Sequence, residues 1–453
     1  MDKEYVEMYD LIILGGGPGG YRAAELAGKK GLKTVVIEKA YMGGMCLNRG
    51  CIPTKAYYSD VIGKHSPVSN MWNKKEQVVK TLRDGIAQLM ESNNVDVKVG
   101  YGIIKETDEN VKKVEVTTSK GKEIIEGKNL IIAVGSKTME TKFENYNLDG
   151  IVRGDWAVND EELWNSNKVQ SVVIAGAGVI AVEFAFILKE MGKEVTILKH
   201  SDEILRRCDI DIKKQVKSLI KRKKIKTLDC FNINKVTREE GSLTVHGSYN
   251  KGDVEIKCDR LIIASSMIPV INGYGLENTN IQYDNKGIKV DEHLRTNIQG
   301  VYAIGDVVGG MMLAHVAEYQ AMSVISSIEH KDYIIDYNSV PYCIFAQPEI
   351  AAVGLTEQQA KEKGINYKVG RSYFSCNGMA LAMGETTGFV KVIADENNNI
   401  LGVHILGPEA SVMIEEAALA IYSGLTVEQV ARCVHPHPTL TECFRDALFS
   451  IMD

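Results

Sequence analysis

Short apolar runs, separated by glycine turns and helical stretches, dominate the first half of the chain. Residues 9–14 form such a run, which predicts a strand buried in a parallel sheet. A glycine-rich turn covers residues 15–20, and small residues recur on one side of residues 21–30, which predicts a helix packed on that sheet. Residues 34–38 form the next apolar run. The pattern therefore predicts a strand-helix-strand unit with parallel strands.

The turn of this unit has the spacing G-x-G-x-x-G at Gly15, Gly17 and Gly20, and the second strand ends in Glu38. Gly15 permits the sharp turn, Gly17 lets a pyrophosphate approach the backbone, and Gly20 lets helix and strand pack closely. The helix N-terminus attracts phosphate, and Glu38 can accept the hydroxyl groups of an adenosine ribose. The spacing alone also occurs in ordinary turns, but this context indicates a dinucleotide site.

The same design recurs in the middle of the chain and indicates an internal duplication. A strand over residues 171–174 leads to Gly176 and Gly178, and residues 182–191 and 194–198 predict the following helix and strand.

Two positions of this second unit differ from the first. Ala181 occupies the place of the third glycine, and Lys199, followed by His200, stands where an acid would bind the ribose 2′-hydroxyl. A cation there attracts the 2′-phosphate of NADP(H), whereas an acid repels it. Lys199 is therefore interpreted either as a ligand of that phosphate or as a solvated lysine at a strand end, and the sequence leaves both open.

Two further buried strands end in small-residue turns that suit a nucleotide. Residues 129–136 lead through Gly135, and residues 300–306 end at Asp306, which can bind a polyol hydroxyl group. Ala314 lies at the start of the small-residue helix that follows.

The intervening and final segments have other patterns. Residues 61–95 predict a polar helix, residues 97–134 a small antiparallel sheet, and residues 204–260 a helix and further strands. From residue 340 onward, five predicted strands and two helices, over residues 411–423 and 426–433, indicate an α+β domain without a nucleotide motif.

Composition narrows the classes of function. The 453 residues exceed what one hydrophobic core normally holds, so two to four domains are expected. The net charge is −6, with 53 basic and 59 acidic residues well mixed, which argues against nucleic acid or a membrane as partner. Nine cysteines without a signal-type N-terminal segment predict a reducing, cytoplasmic location, where a disulfide is more often catalytic than structural.

Cys46 and Cys51 lie five positions apart, directly behind the first nucleotide unit. One hypothesis is a redox-active disulfide beside a flavin. The alternative is two unrelated, small buried residues, and the pair alone does not decide between them. Pro53 is expected to end the cysteine loop, and Lys55 to begin the next helix.

The C-terminus carries a candidate base, because His437 lies between two prolines with Glu442 five residues further on. A thiolate, not a thiol, attacks a disulfide, so a disulfide site needs a base. An imidazole titrates near neutral pH, and an acid on its far nitrogen fixes the tautomer. The alternatives are surface histidines or opportunistic metal ligands. We predict an acid/base pair and no metal site.

Together these motifs resemble the class I flavoprotein pyridine nucleotide-disulfide oxidoreductases, and within them the dihydrolipoamide dehydrogenases, over essentially the whole chain. The matching motifs, in order, are the first FAD motif (Gly15, Gly17, Gly20 and Glu38), the cysteine stretch of residues 46–55, the nucleotide unit with Gly176, Gly178 and Glu183, the second FAD motif (Gly305 and Asp306), and residues 435–442.

The resemblance implies a role for each of these residues. Cys46 would be the thiol that exchanges with substrate, and Cys51 the thiol that contacts the flavin. The other implied catalytic groups are Lys55 near the flavin ring, Glu183 paired with it, and the acid/base His437 oriented by Glu442. The dyad would act on the disulfide of the other subunit, so a homodimer is implied, with FAD and NAD or NADP as cofactors.

The implied fold is α/β, with two nested Rossmann-like dinucleotide-binding domains and a C-terminal α+β dimerisation domain. The expected boundaries are residues 1–147 for the first part of the FAD domain, 148–268 for the NAD(P) domain, 269–338 for the second part of the FAD domain, and 339–453 for the interface domain.

The implied reaction is oxidation of protein-bound dihydrolipoamide, through the Cys46–Cys51 disulfide and FAD, with reduction of NAD(P)⁺. The partner would be the lipoyl-carrying protein of a 2-oxo acid dehydrogenase or glycine cleavage complex. An NADPH-dependent disulfide reductase of the glutathione reductase type is the nearest rival, since Lys199 suits NADPH. A non-catalytic FAD-binding redox sensor is a rival of another class. Mercuric reductase is less favoured, because Cys443 has no vicinal cysteine.

Overall fold

The structure is a computed structural model that describes residues 8–63 and 70–452. Its first layer is a seven-stranded sheet with Tyr9–Leu14 at the centre, paired in parallel with Thr34–Glu38 on one side and with Gly121–Ile132 on the other. Leu11, Ile12 and Ile13 are fully buried, as expected for a strand covered on both faces. The remaining strands of this sheet are Val95–Val99, Tyr101–Thr107, Lys112–Thr118 and Val301–Ala303.

The strand Gly121–Ile132 corrects the expectation of a separate antiparallel sheet over residues 97–134. Its first half pairs antiparallel with Lys112–Thr118, and its second half pairs parallel with Tyr9–Leu14. Val95–Val99 likewise joins the parallel part of the sheet, beside Thr34–Glu38. One continuous strand therefore merges the antiparallel segment into the nucleotide-binding sheet.

The second nucleotide unit forms a parallel sheet of its own, as the internal duplication predicts. Its strands, in spatial order, are Lys226–Leu228, Glu194–Leu198, Ser171–Ala175, Arg260–Ile263 and Ile151–Arg153. An antiparallel sheet of Asn232–Glu239, Ser242–Tyr249 and Gly252–Cys258 lies beside it. Two short pairs complete this region, Ser136–Thr138 with Met267–Pro269 and Tyr283–Asp284 with Gly287–Ile288.

After this unit the chain returns to the first sheet, where Val301–Ala303 pairs in parallel with Gly121–Ile132. The second unit is therefore an insertion into the first. The domain boundaries expected from the sequence stay predictions.

The C-terminal region contains a five-stranded antiparallel sheet with strand order Tyr342–Ile344, Glu349–Gly354, Ile400–Gly407, Phe389–Asp395 and Tyr367–Tyr373. Its helices are Glu357–Glu362, Gly378–Met383, Ala410–Tyr422, Val427–Ala431 and Glu442–Met452. The last of these was not foreseen from the sequence; it buries Phe444 and Leu448 against this sheet.

The helices of the first three-quarters of the chain are Pro18–Lys29, Gly44–Arg49, Cys51–Val61, Met71–Ser92, Glu161–Asn165, Val179–Glu190, Ile210–Arg222 and Ala314–Ile328. Of the helix expected over residues 61–95, the structure describes the helix Met71–Ser92, while Val61 ends the preceding helix and Val95 begins a strand. Residues 64–69 of that prediction lie outside the described residues.

A buried charged cluster joins the second unit to the C-terminal sheet. The fully buried ammonium of Lys391 lies 2.7 Å from Asp209, 2.8 Å from Asp211 and 2.5 Å from Glu357. Burial alone would lower the pKa of Lys391, but hydrogen bonds to these carboxylates outweigh it and raise the pKa. Removing one partner of such a buried ion pair typically lowers the free energy of unfolding by about 3–5 kcal/mol. Because Asp209 and Asp211 flank the first residue of the helix Ile210–Arg222, the cluster fixes the start of that helix.

Across the described part of the chain, no helix is both long and apolar enough to cross a bilayer.

Candidate functional site

The three glycines of the first turn have the surroundings that a dinucleotide cradle requires. Gly15 has a φ of +109°, and an added Cβ would collide with the carbonyl oxygen of Ala133. A Cβ on Gly20 would meet the carbonyl oxygen of Gly15, so close packing of helix and strand needs glycine there. A Cβ on Gly17 would meet only the Cα of Gly44, at 3.8 Å, and otherwise point into open space. Space of this kind admits a phosphate to the helix N-terminus.

Two carboxylates lie at the turns that the sequence predicts for a nucleotide. Glu38 accepts hydrogen bonds from the backbone N–H groups of Gly16, at 2.8 Å, and Ala40, at 2.9 Å, which hold its side chain against the turn. At the predicted second nucleotide-binding turn, the hydroxyl of Ser136 donates to Asp306, and burial raises the pKa of that carboxyl group. Sequence reasoning missed Ser136, although it directly follows the glycine of the predicted turn at Gly135, which has a φ of +75°.

The helix Ala314–Ile328 follows the Asp306 turn and packs against the helix Pro18–Lys29, where the hydroxyl of Tyr21 donates to Glu318 at 3.0 Å. The segment that carries Asp306 and Ala314 is thereby joined to the glycine turn of the first unit.

Cys46 and Cys51 are joined in a disulfide, with Cα atoms 4.7 Å apart. Cys46 lies on the short helix Gly44–Arg49, and Cys51 is the first residue of the helix Cys51–Val61. This corrects the expectation that the helix begins at Lys55, because Pro53 is accommodated in the first turn. The positive end of an eleven-residue helix dipole therefore lies at the Cys51 sulfur, where it favours a thiolate.

Residues between the two cysteines hold this segment in place, a role that the sequence alone did not reveal. The side-chain amide of Asn48 donates to the carbonyl oxygens of Met42, at 3.1 Å, and Gly44, at 2.8 Å. The guanidinium of Arg49 lies over the ring of Trp156, 4.6 Å from its centre, and 3.7 Å from Asp155. Both contacts restrain the pair without involving its sulfur atoms.

Lys55 and Glu183 are brought together as the resemblance implies. The ammonium of Lys55 donates to both oxygens of Glu183, at 3.0 and 2.9 Å, and lies 4.5 Å from the ring centre of Phe345. The backbone N–H of Phe345 also donates to Glu183, at 2.9 Å. One buried carboxylate therefore joins the cysteine helix, the helix of the second nucleotide unit and the C-terminal domain.

His437 and Glu442 are also paired, with Nδ1 of the imidazole 3.0 Å from Oε1 of the carboxylate. The backbone N–H of Thr439 donates to Glu442 at 3.0 Å and, together with the bond from His437, lowers the pKa of Glu442. The imidazole side chain is 78% exposed and faces away from the chain that carries it. In the described part of this single chain, no hydrogen bond or ion pair links His437 to either cysteine of the disulfide.

The other histidine of this segment is structural. The Nε2 atom of His435 lies 2.9 Å from Glu416, and its Nδ1 lies 2.9 Å from the carbonyl oxygen of Cys433. Both ring nitrogens of His435 have a partner. The bond to Glu416 anchors the loop to the helix Ala410–Tyr422, and the same loop carries His437.

The second glycine turn has the same character as the first. Gly176 has a φ of +144°, and a Cβ there would meet the carbonyl oxygen of Ala264. A Cβ on Gly178 would find no heavy atom within 4 Å, which leaves room for a phosphate at the N-terminus of the helix Val179–Glu190.

The interpretation of Lys199 as a solvated lysine is wrong, because its side chain is buried, whereas its interpretation as a ligand of the 2′-phosphate stays a prediction. The side chain is 4% exposed, and Nζ lies 2.9 Å from Oδ1 of Asp229 and 2.9 Å from the carbonyl oxygen of Asp202. Two oxygens of the protein thus already bind this cation. Its pairing with Asp229, thirty residues further along the chain, could not be read from a local pattern.

The remaining cysteines are unpaired thiols, and several are buried. Burial raises the pKa of Cys443 to about 11 and that of Cys343 to about 12, so neither ionises at neutral pH. This fits a structural role for Cys443, which lies beside the dyad in sequence.

Comparison with known proteins decides the family. The model of the pyridine nucleotide-disulphide oxidoreductase family matches residues 9–321, and the model of its dimerisation domain matches residues 340–448. The chain belongs to this family. It is therefore an FAD-dependent oxidoreductase with the α/β fold of that group, and members of the family use FAD and NAD(P).

Several relatives match over nearly their whole length. The chain is 36% identical to dihydrolipoyl dehydrogenase of Bacillus subtilis, with 97% of each chain covered. It is 38% identical to mitochondrial dihydrolipoyl dehydrogenase of Homo sapiens, with 97% of this chain and 89% of that protein covered. Among solved structures, the HOCl-induced flavoprotein disulfide reductase RclA of Escherichia coli is 26% identical, with a TM-score of 0.88 and with 97% of this chain and 99% of that chain covered.

The residues present fit both nucleotides of the family. The open space at Gly17 suits the pyrophosphate of FAD, with Glu38 held at the same turn, and the open space at Gly178 suits the pyrophosphate of a pyridine nucleotide.

The cradle at Gly17 can be tested by filling it. Gly17 has a φ of −72°, so valine is tolerated by the backbone, but its side chain would occupy the space meant for the pyrophosphate. We expect purified Gly17→Val protein to contain about one tenth or less of the wild-type flavin, measured by absorbance after denaturation, with an unchanged far-ultraviolet circular dichroism spectrum.

Gly85→Ala is the matched control, because Gly85 is exposed on the helix Met71–Ser92 with no heavy atom near an added Cβ. It should retain full flavin content. Full flavin content in Gly17→Val would contradict the assignment of this cradle.

Proposed function

We propose that this chain is a dihydrolipoyl dehydrogenase, which oxidises protein-bound dihydrolipoamide and reduces NAD(P)⁺. The observation that carries the proposal is the Cys46–Cys51 disulfide at a helix N-terminus, in a chain that matches dihydrolipoyl dehydrogenases at 36–38% identity over nearly full length. The exposed imidazole of His437, paired with the buried Glu442, adds the base that thiol chemistry needs.

The cysteine pair supplies the exchange chemistry. A lipoyl thiolate attacks the sulfur of Cys46, the Cys46–Cys51 bond breaks, and Cys51 leaves as a thiolate stabilised by the helix dipole. The second lipoyl sulfur then attacks the first, closing the lipoyl disulfide and releasing Cys46. Two electrons have passed from the substrate to the protein pair. One substrate proton ends on Cys46 and the other reaches solvent.

His437 removes the proton of the lipoyl thiol that attacks Cys46. Its free Nε2 accepts the proton of the incoming thiol, and the carboxylate of Glu442 on Nδ1 fixes the tautomer and stabilises the resulting cation. Because the pKa of Glu442 is lowered, this carboxylate stays charged across the physiological pH range.

FAD, when bound, supplies a two-electron acceptor between the cysteine pair and the nicotinamide. The protein's part is positional, because the ion pair of Lys55 and Glu183 links the cysteine helix to the helix that begins at the second glycine turn. The remaining proposed binding positions are Gly15, Gly20, Glu38, Gly135, Asp306 and Ala314 for FAD and Gly176 and Gly178 for NAD(P).

A homodimer is part of the proposal, because His437 does not reach the disulfide of its own chain. The match to a dimerisation domain supports it. So does an apolar stripe on the helix Ala410–Tyr422, where Val412, Leu419 and Tyr422 are each about two-thirds exposed. A second subunit packed on these side chains would bury their apolar surface. That contact would lie on the same helix that holds the His437 loop through His435.

The proposed setting is the cytoplasm, and the proposed partner is the lipoyl-carrying protein of a 2-oxo acid dehydrogenase or glycine cleavage complex. The seven cysteines outside the pair form no disulfide, which supports a reducing compartment.

The second candidate function is that of an NADPH-dependent disulfide reductase. The likeness to RclA over 97% of this chain favours it, because that protein is named as a flavoprotein disulfide reductase. The same cysteine pair would serve either reaction, so the two candidates are distinguished by the substrate that the protein turns over.

The decisive test is a paired steady-state assay of the purified protein. We expect dihydrolipoamide to be oxidised with NAD⁺ or NADP⁺, and glutathione disulfide to be reduced at least about 100-fold more slowly with either reduced nucleotide. Turnover of glutathione disulfide without turnover of dihydrolipoamide would support the second candidate and contradict the proposal.

The base can be tested with His437→Gln. We expect kcat with dihydrolipoamide to fall about 10²- to 10⁴-fold, as for loss of a general base, while reduction of the bound flavin by the nicotinamide nucleotide is spared. His293→Gln is the control, because His293 pairs with Asp332 and not with Glu442, and it should leave both rates unchanged. Loss of both half-reactions in His437→Gln would contradict an acid/base role.

A further inference from the structure

The short helix that carries Cys46 depends on one buried side chain for its position. The helix Gly44–Arg49 has only six residues, too few to be stable by itself, so tertiary contacts must hold it. Asn48 is buried, and its side-chain amide donates to the carbonyl oxygens of Met42, at 3.1 Å, and Gly44, at 2.8 Å. Asn48 therefore ties the end of this helix back to the loop that precedes it.

That loop is in turn fixed to the first glycine turn. The backbone N–H of Gly43 donates to the carbonyl oxygen of Gly16 at 2.7 Å. A Cβ on Gly44 would lie 2.6 Å from the Cα of Gly17, so the two backbones are in close contact. Any freedom in the loop would therefore change where Cys46 lies relative to the turn.

The orientation of the Asn48 amide is set by a third contact. The Nε–H group of Arg83, on the helix Met71–Ser92, donates to Oδ1 of Asn48. If the amide turned over, its oxygen would face two carbonyl oxygens and its NH₂ group would face the guanidinium, so all three hydrogen bonds would be lost. Arg83 therefore selects the orientation in which Asn48 binds both carbonyl groups of the loop.

Arg83 is itself held over an aromatic ring. Its guanidinium lies 4.1 Å from the ring centre of Tyr41, which directly precedes Met42 in the chain. The same side chain thus contacts the residue that leads into the loop and the amide that closes it. These two contacts bring the helix Met71–Ser92 against the segment that carries Cys46.

We propose that Arg83 is a positioning residue for the Cys46–Cys51 pair and acts through Asn48. With the amide oriented, the helix of Cys46 is fixed relative to Cys51, so the two thiols meet at a high effective concentration. Without the donor on Arg83 this helix gains freedom, and the disulfide becomes easier to reduce. The proposal deepens the proposed function, and rests on it only for the reversible reduction of this disulfide.

The test is the redox equilibrium between the flavin-loaded protein and dithiothreitol under anaerobic conditions. Dithiothreitol gives up two electrons and two protons as its ring disulfide forms, and the Cys46–Cys51 bond breaks to give two thiols. The reduced fraction is measured by alkylation and peptide mass spectrometry over a series of ratios of reduced to oxidised dithiothreitol. Absorbance follows the redox state of the flavin in the same samples.

Arg83→Met removes the donor but keeps a long apolar side chain that can still contact the ring of Tyr41. We expect the equilibrium constant for reduction of the pair to rise about tenfold, which equals a rise of about 30 mV in the reduction potential. Flavin content equal to that of the wild type shows that the variant is folded. An unchanged equilibrium constant in this folded variant would overturn the proposal.

Lys80→Met is the matched control, because Lys80 is an exposed cation on the same helix and pairs with Asp84 at 3.3 Å. It should leave the equilibrium constant unchanged, and an equal rise in this variant would contradict a specific role of Arg83.

The route through Asn48 is tested by a double-mutant cycle. Asn48→Ala should raise the constant at least as much as Arg83→Met, and the double variant should show no further rise. Additive effects would overturn the route. The comparison of Arg83→Met with Lys80→Met stands even if Asn48→Ala fails to fold. Dithiothreitol is not the proposed substrate, so both results are independent of whether the protein oxidises dihydrolipoamide.

Discussion

The carboxylate of Glu183 is the contact on which the arrangement of the redox groups depends. It is 6% exposed and accepts from Lys55 of the cysteine helix and from the backbone of Phe345 in the C-terminal domain. Glu183 itself belongs to the helix that begins at the second glycine turn. A buried charge that loses its partners destabilises the folded state strongly, so separating the three segments would lower the stability of the protein. The disulfide and the nucleotide turn are thereby held in one fixed relation.

The features predicted correctly from the sequence are those set by local chemistry. Gly15 and Gly176 need positive φ angles, and the strands that precede them are apolar because both faces are covered. The pairing of His437 with Glu442 also follows from short spacing and a rigid, proline-flanked backbone. Each of these predictions concerns residues within a few positions of one another, or an unbroken apolar run.

The features that sequence reasoning missed are set by contacts between distant segments. Lys199 is buried and paired with Asp229, which directly follows the strand Lys226–Leu228. The cluster around Lys391 joins Asp209 to Glu357, which lies more than 140 positions further along the chain. The start of the cysteine helix was misplaced for a different reason. A proline inside a helix normally interrupts it, but Pro53 lies in the first helical turn, where the N–H group that proline lacks would have no partner. This shift of four residues places the helix dipole at Cys51.

The most direct test of the account is to find which sulfur atoms take the first electrons from the dithiol. Protein mixed anaerobically with one equivalent of dihydrolipoamide, before any nicotinamide nucleotide is added, would be alkylated and analysed by peptide mass spectrometry. We predict two newly alkylated thiols, Cys46 and Cys51, and no change at the other seven cysteines. A pair that stays oxidised while lipoamide forms, or labelling that appears at other cysteines, would contradict the account.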